Sequence, residues 1–312
     1  MIRYLSLKGK HVLSMLDIGK NDLEQIFSVA SKLDYVLKDR TRLKALDDKI
    51  MASLFFQPST RTRLSFESAM IRLGGSIVGF ADAKVSRAGD AYGESLEDTS
   101  RMINNYADVV AMRHSESGAP RKFSEHANIP VINAGDGSNE HPTQAMLDLY
   151  TIVRERGDIN DMNVMLIGDM NQRAVHSLAY GLAKYKNVTL YSVYPDEAPL
   201  PDQVQQNLKR LNMNWHRVAR PEEAIGKSDV VYVIFSKKSV TDPPTREQLT
   251  ITLQKLKGAK PNLLLMHPLP RMDELPTEVD TAPYGRYFMQ PYYGVLIRMA
   301  LLLALFGRED SI

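Results

Sequence analysis

Cysteine is absent from the 312-residue sequence, which excludes disulfides and cysteine-ligated zinc or iron–sulfur centres. This composition is compatible with a reducing cytoplasm, where we expect the protein to reside. A strong charge of either sign is also lacking. Because the net charge is only +2, the composition does not favour binding to nucleic acid or to an anionic membrane.

Long hydrophobic runs are lacking as well. The first ten residues do not contain the apolar core of a signal peptide. The most apolar run, residues 295–306, is too short for a membrane span and contains Arg298, so it predicts a buried C-terminal helix. We therefore expect neither a membrane nor a nucleic acid as a partner.

Glycine-rich phosphate-binding signatures are missing too, since neither G-x-G-x-x-G nor a Walker motif occurs. What the chain does contain is an alternation of apolar, strand-like runs with helical segments, in one series over residues 50–156 and in another over residues 163–266. This alternation predicts an α/β fold with two domains, each with a central parallel sheet flanked by helices. The pattern places the domain boundary inside or just after the helix predicted for residues 142–156.

One strand-to-helix turn has the composition of an anion site. The buried strand predicted for residues 49–56 leads through Gln57-Pro58 into Ser59-Thr60-Arg61-Thr62-Arg63, which we call the phosphate cradle. A helix N-terminus at a strand end offers free backbone N–H groups to an anion, and the three hydroxyls and two arginines add donors and positive charge. The alternative is a capped helix with exposed arginines.

Polar clusters follow several other predicted strands at the same relative position. Ligands of such sheets bind outside the carboxyl ends of the strands, so the clusters predict one functional edge in each sheet. The clusters are Ser59–Arg63, Arg113-His114, residues 141–144, residues 169–173 and residues 267–271.

The ordered set S-T-R-T-R (59–63), H-P-T-Q (141–144) and H-P-L-P-R (267–271) resembles the aspartate and ornithine carbamoyltransferase family. The resemblance extends from about Leu5 to Phe306 and is stronger to the aspartate branch. Further stretches of that branch are similar to residues 112–114, 133–139, 148–152 and 270–274.

The resemblance implies a fold and a reaction. It implies a carbamoyl-phosphate-binding domain of residues 1–150 plus the C-terminal helix 292–312, and an amino-acid-binding domain of residues 151–291. The implied reaction transfers the carbamoyl group of carbamoyl phosphate to the amino group of L-aspartate, giving N-carbamoyl-L-aspartate and phosphate, a step of pyrimidine biosynthesis. No metal and no organic cofactor is implied. The implied assembly is a homotrimer or a higher assembly, alone or with a homologous or regulatory chain, with sites between neighbouring chains.

The resemblance also assigns roles to residues. Thr62, Arg113 and His141 would be catalytic, because they would donate hydrogen bonds to the carbamoyl oxygen and stabilise the oxyanion that forms on amine attack. Gln144 and the backbone carbonyls near Leu269 and Pro270 would receive the carbamoyl amino group. The implied carbamoyl-phosphate contacts are Ser59, Thr60, Arg61, Thr62, Arg113, His141, Gln144, Leu269 and Pro270. Each residue alone also fits a structural role, such as a helix-start histidine or a surface ion pair.

The amino-acid side departs from the aspartate branch. Arg173 matches the arginine that grips the amino acid's carboxylate, but the turn before it is one residue shorter. Phe235 stands where the branch has an arginine for the second carboxylate, and a phenyl ring cannot donate a hydrogen bond. Lys237 or Lys238 could supply a point charge there, and Lys84 or Arg87 could supply the charge of a loop lysine whose place is taken by Tyr92.

These departures leave three hypotheses. The first is an active carbamoyltransferase, with aspartate or with a different small amino acid as the acceptor. The second is a catalytically impaired homologue that serves as a structural or regulatory subunit. The third, a generic phosphate- or nucleotide-binding α/β protein, is disfavoured by the missing glycine-rich signatures.

Overall fold

The computed structural model describes residues 7–83, 93–235 and 242–312. The chain divides into two compact units. The first unit contains Met1–Met146 and Pro291–Ile312, and the second contains Leu147–Gln290.

The first unit is built on a four-stranded parallel sheet with strand order β2-β1-β3-β4. Its strands are β1 (Ile50–Phe55), β2 (Ser76–Phe80), β3 (Val109–His114) and β4 (Val131–Asp136). Its helices are α1 (Lys20–Lys32), α2 (Asp34–Lys38), α3 (Thr60–Arg72), α4 (Leu96–Ile103) and α5 (Ala119–Ser124). The helix α6 (Pro142–Arg156) begins in this unit and crosses the division.

Burial explains why the central strands of this sheet, β1 and β3, are mainly apolar. Helices cover the faces of a parallel sheet, so its central strands have little contact with water on either side. The strand β1 is buried from Met51 to Phe55, and β4 is buried along its whole length. Because Phe55 pairs in register with Arg113, the carboxyl ends of β1 and β3 are adjacent.

The second unit is built on a five-stranded parallel sheet with strand order β7-β6-β5-β8-β9. Its strands are β5 (Asn163–Gly168), β6 (Thr189–Val193), β7 (Asn214–Arg217), β8 (Val230–Ile234) and β9 (Leu264–Met266). Its helices are α7 (Arg173–Leu182), α8 (Asp202–Arg210), α9 (Pro243–Leu249) and α10 (Leu253–Leu256). The order places the carboxyl ends of β5, β8 and β9 side by side.

The last helix, α11 (Gln290–Phe306), begins at the final residue of the second unit and returns the chain to the first. Its residues from Leu296 to Leu305 are buried on every side, which is why this run is apolar without helical periodicity. Across the described ranges, no helix combines the length and the hydropathy that a membrane crossing requires.

The predicted fold class is confirmed, because both sheets are parallel and flanked by helices. The strand β7 was not predicted. Its sequence, Asn-Trp-His-Arg, has no apolar run, because β7 lies at the edge of the sheet and most of its side chains are exposed.

Candidate active site

The phosphate cradle occupies the first turn of α3. Ser59 has an extended backbone (φ −156°), the helix begins at Thr60, and the Ser59 hydroxyl does not cap it. The first turn contains no acidic residue. The N–H groups of this turn, the helix dipole and the neighbouring hydroxyls therefore favour an anion at this end of the helix.

The two arginines of the cradle have different surroundings. Arg63 donates to both carboxylate oxygens of Glu67, at 3.0 and 3.1 Å, and Ser53 donates to the same carboxylate at 3.0 Å. The Arg63 guanidinium therefore forms an ion pair within α3, whereas we expected it to add charge to the cradle. Much of the Arg61 side chain is exposed, and desolvation of the covered part of its guanidinium lowers its pKa, although arginine remains charged at neutral pH.

Arg113 reaches the cradle from the end of the neighbouring strand β3. Its Nε donates to Oε1 of Gln57 at 3.2 Å, and its Nη1 donates to the Ser59 hydroxyl at 3.4 Å. The side chain is half-buried. A guanidinium in this position faces the same end of α3 as the N–H groups of its first turn, so its charge adds to their attraction for an anion.

His141 joins the cradle from the start of α6. Its Nε2 lies 3.3 Å from the Thr62 hydroxyl, and both residues are buried. Gln144 lies one turn further along α6, where its N–H donates to the His141 carbonyl at 3.0 Å. The structure thus brings together Ser59, Thr62, Arg113 and His141, which the chain separates by up to 82 positions, as the residue numbers show.

A buried carboxylate shapes the turn that precedes His141. Asp136 accepts hydrogen bonds from the N–H of Gly118 (2.7 Å), the amide of Asn133 (2.8 Å), the amide of Asn139 (2.9 Å) and the N–H of Glu140 (3.1 Å). Its side chain is 1% exposed. These bonds hold the chain between β4 and α6 in one conformation.

The adjacent carboxylate ties the same turn to the N-terminal segment. Glu140 accepts from the Ser14 hydroxyl and, at 2.9 Å, from the N–H of Met15. From the sequence, we found only a family resemblance over residues 133–139 here and assigned no role to either carboxylate. The one signal for them is their place between a buried strand and a helix start, where a carboxylate can accept otherwise unsatisfied backbone N–H groups.

In the second unit, Arg173 is the first residue of α7 and follows the carboxyl end of β5. The turn before it is organised by the buried Asp169, which accepts from the N–H of Asn171 (3.0 Å) and the side-chain amide of Gln172 (2.6 Å). Arg173 is half-buried at this end of the sheet.

Phe235 follows the carboxyl end of β8 and packs on the core of this unit. A methyl group placed on Gly168 would lie 2.5 Å from Cδ1 of its ring, so the ring closely covers the end of β5. On another side, the Arg246 guanidinium lies 5.7 Å from the ring centroid. Arg246 is paired with Asp273, which accepts from its Nε at 3.0 Å and whose pKa is lowered by this pairing. Sequence reasoning did not predict this pair.

The turn after β9 carries Leu269 and Pro270, joined by a cis peptide bond. Beyond them Arg271 donates to both carboxylate oxygens of Asp280, and Tyr287 donates to the same carboxylate. The Arg271 and Tyr287 hydrogen bonds lower the pKa of Asp280 to about 2. Burial and the Asp280 hydrogen bond raise the pKa of Tyr287 to about 12.

Five positions named in the sequence analysis lie outside the described residues: Lys84, Arg87, Tyr92, Lys237 and Lys238.

Fold and site together define a class of protein: an α/β protein of two parallel sheets, with an anion cradle where the first sheet meets a helix. Two family models match the chain. The aspartate/ornithine carbamoyltransferase carbamoyl-P binding domain matches residues 10–154, and the Asp/Orn binding domain of the same family matches residues 160–305. The chain belongs to the aspartate/ornithine carbamoyltransferase family.

Curated relatives indicate the branch. The aspartate carbamoyltransferase catalytic subunit of Methanocaldococcus jannaschii is 44% identical over 97% of this chain and 99% of its own length. That of Thermococcus gammatolerans is 45% identical over 94% and 96%. These matches confirm the predicted family, its aspartate branch and the transferase class.

Solved structures show the same fold. Aspartate transcarbamoylase from Trypanosoma cruzi, solved with carbamoyl phosphate and aspartate and also with N-(phosphonacetyl)-L-aspartic acid, has a TM-score of 0.89 at 36% identity, covering 96% of each chain. The catalytic subunit of M. jannaschii aspartate transcarbamoylase has a TM-score of 0.86 at 42% identity, covering 96% of this chain and 98% of the other.

Proposed function

We propose that this protein transfers the carbamoyl group of carbamoyl phosphate to the amino group of L-aspartate, giving N-carbamoyl-L-aspartate and phosphate in pyrimidine biosynthesis. The observation that carries the proposal is the convergence of Ser59, Thr62, Arg113 and His141 at the N-terminus of α3. The trypanosomal relative bound to carbamoyl phosphate and aspartate supports the choice of substrates.

The phosphate of the donor binds at the cradle. Ser59, Thr60, Arg61 and Thr62 supply hydroxyls, backbone N–H groups and one guanidinium, and Arg113 adds a second guanidinium from β3. Fixed donors and cations of this kind hold a phosphate dianion without any glycine-rich loop.

The carbamoyl oxygen accepts hydrogen bonds from Thr62, Arg113 and His141. The amine attacks the carbamoyl carbon, the carbonyl electrons move to this oxygen, and the resulting oxyanion is stabilised by the three donors. The bond from carbon to the phosphate oxygen then breaks, and the departing phosphate takes the proton lost by the amine. No side-chain nucleophile takes part, so the rate comes from positioning and from electrostatic stabilisation.

The remaining contacts orient the two substrates. Gln144 and the backbone carbonyls of Leu269 and Pro270 hold the carbamoyl amino group. Arg173 binds a carboxylate of the acceptor through its planar guanidinium. Lys237 and Lys84 are the proposed sources of charge for the second carboxylate.

A second acceptor class is favoured by one observation. The Phe235 ring closely covers the end of β5, and it presents no hydrogen-bond donor there. An acceptor with a single carboxylate and a small or apolar side chain would fit this surface.

For assembly and location, we propose a cytoplasmic homotrimer or a higher assembly with a homologous or regulatory chain. The relatives from M. jannaschii and T. gammatolerans are catalytic subunits, which supports an assembly with a second type of chain.

The test is turnover of the purified protein with carbamoyl phosphate and a panel of amines, including L-aspartate, L-alanine, glycine and L-ornithine, followed by detection of the carbamoylated product. We expect product with L-aspartate. If product forms with another amine and not with L-aspartate, that amine replaces L-aspartate as the proposed acceptor. The absence of product with every amine would refute the transferase proposal.

Two threonine variants test the site. Thr62→Val keeps the side chain's shape and removes the hydroxyl, and we expect it to lower kcat about a hundredfold, the usual effect of losing one oxyanion donor. Thr151→Val is the matched control, because this fully buried hydroxyl only donates to the Leu147 carbonyl at 2.7 Å. Equal activity of the two variants would contradict the role of Thr62.

A further inference from the structure

The turn after β9 contains a residue in an unfavourable backbone conformation. Leu269 has a φ of +59°, in the left-handed region that a leucine rarely adopts. Such a conformation is unfavourable for a residue with a side chain and persists only where the surrounding structure enforces it. The neighbouring side chains must therefore hold the Leu269 backbone in place.

His267 is the side chain that holds it. Its Nδ1 accepts a hydrogen bond from the Leu269 N–H at 2.8 Å, and the backbone N–H of His267 donates to Oε1 of Gln290 at 2.9 Å. His267 is 2% exposed. Because Nδ1 is an acceptor, the neutral ring carries its proton on Nε2.

Glu274 holds the ring of His267 in turn. The Nε2 of His267 lies 3.0 Å from Oε1 of Glu274, and the same oxygen accepts the Met272 N–H at 2.9 Å. Glu274 is also 2% exposed. Burial alone would raise the pKa of Glu274, but the hydrogen bonds from His267 and the backbone lower it, so the side chain is a carboxylate.

We propose that His267 and Glu274 are a positioning pair, which sets the direction of the Leu269 carbonyl by fixing the tautomer of His267 and the backbone of Leu269. This inference rests on the proposed function, in which the Leu269 carbonyl holds the carbamoyl amino group. Neither side chain touches substrate in this role. The pair acts through the backbone that it holds.

Two substitutions of His267 separate positioning from simple stability. The side-chain oxygen of asparagine accepts a hydrogen bond from an N–H two residues further on, as Nδ1 does here, so His267→Asn keeps the turn. His267→Leu removes the acceptor. We expect His267→Leu to lower kcat about a hundredfold, the scale of a 1 Å misplacement, and His267→Asn to stay within about fivefold of the wild type.

Two further variants complete the set. Glu274→Gln retains an acceptor oxygen for the His267 ring and for the Met272 N–H, so we expect it to behave like His267→Asn. Asp229→Asn is the control. Asp229 is a buried carboxylate that accepts from Asn163 and Lys260 at the amino end of β8, the opposite end of the same sheet. It should lower Tm without changing kcat.

Hydrogen exchange at the Leu269 amide gives a second readout that needs no turnover. We expect this amide to be protected in the wild type and in His267→Asn, and to exchange at least about a hundredfold faster in His267→Leu.

The outcomes separate this inference from the proposed function. Equal kcat losses in His267→Leu and His267→Asn would overturn the positioning pair. So would a kcat loss in the control Asp229→Asn as large as the loss in His267→Leu. A wild-type protein that carbamoylates no amine would overturn the proposed function, and the exchange rates at Leu269 would then decide the inference. Rapid exchange of this amide in the wild type overturns it in either case.

Discussion

The buried carboxylate of Asp136 offers the sharpest test of how the first unit builds its site. Each of its two oxygens accepts two hydrogen bonds. Oδ1 accepts from Asn133 and Glu140, and Oδ2 accepts from Gly118 and Asn139. All four donors lie on the chain that leads to His141 or packs against it. The perturbation we choose is Asp136→Asn, which changes one oxygen into an NH₂ group.

The magnitude follows from this geometry. An asparagine side chain has one acceptor oxygen and one donor group, so in either orientation it loses two of the four hydrogen bonds. Each bond to a charged group contributes roughly 1.5–3 kcal/mol, so the free energy of unfolding should fall by about 3–6 kcal/mol. Since typical proteins are stable by about 5–15 kcal/mol, this loss would leave the first unit marginally folded.

The assay is urea unfolding monitored by hydrogen exchange of the β4 amides. Tryptophan fluorescence would not serve, because the single tryptophan, Trp215, lies in the second unit. The control is Asp98→Asn, which removes an exposed ion pair with Arg101 and should change stability by less than about 1 kcal/mol.

A second measurement connects stability with function. Because the Asp136 hydrogen bonds place the start of α6, Asp136→Asn should also lower kcat under conditions where the variant is still folded. An Asp136→Asn protein that is destabilised by less than about 1 kcal/mol, the value of a single neutral hydrogen bond, would refute the reasoning.

Further predictions concern the cradle, the acid range and the sheet of the second unit. Arg61→Met should raise the KM for carbamoyl phosphate about a hundredfold, whereas Arg63→Met should raise it less than about threefold, because Arg63 already forms an ion pair within α3. Steady-state kinetics measure both values, and a larger rise in KM for Arg63→Met than for Arg61→Met would contradict the prediction. The pKa of Asp280 is lowered from 3.8 to about 2, so its stabilising effect is present above pH 3.8 and is lost as the pH falls towards 2. Urea midpoints of the wild type and Asp280→Asn should therefore converge at low pH, and a constant difference would contradict the shift. Gly168→Ala would place its Cβ 2.1 Å from a backbone carbonyl oxygen, so it should lower the free energy of unfolding by more than about 3 kcal/mol. Gly157→Ala, which has nothing within 4 Å of its Cβ, should lower it by only about 1 kcal/mol, and urea unfolding measures both values.

Much of the architecture could be predicted because it depends on local pattern. The apolar runs that became β1, β5 and β8 are long enough to identify buried parallel strands, and the polar residues after them mark the carboxyl ends. The edge strand β7 escaped prediction, since a strand that is solvated along most of its length needs no apolar residues.

The candidate site was only partly predictable from residue types. Arg61 and Arg63 are chemically equivalent in the sequence, but Glu67 lies one helical turn after Arg63 and occupies its guanidinium. The carboxylates of Asp136 and Glu274 were not identified, because their partners are backbone N–H groups and a histidine ring brought close by folding.

By itself, the sequence determined the α/β class, the family and the position of the phosphate cradle at a strand-to-helix turn, because these follow from the order of apolar runs, turns and hydroxyl or arginine clusters along one chain. Only the tertiary structure decided which groups act together. The pairing of β1 with β3 brings Arg113 to Ser59, the start of α6 brings His141 to Thr62, and the buried His267 fixes the backbone of Leu269. Hydrogen bonds between residues far apart in the chain depend on distance and direction in space, and residue types alone do not specify either.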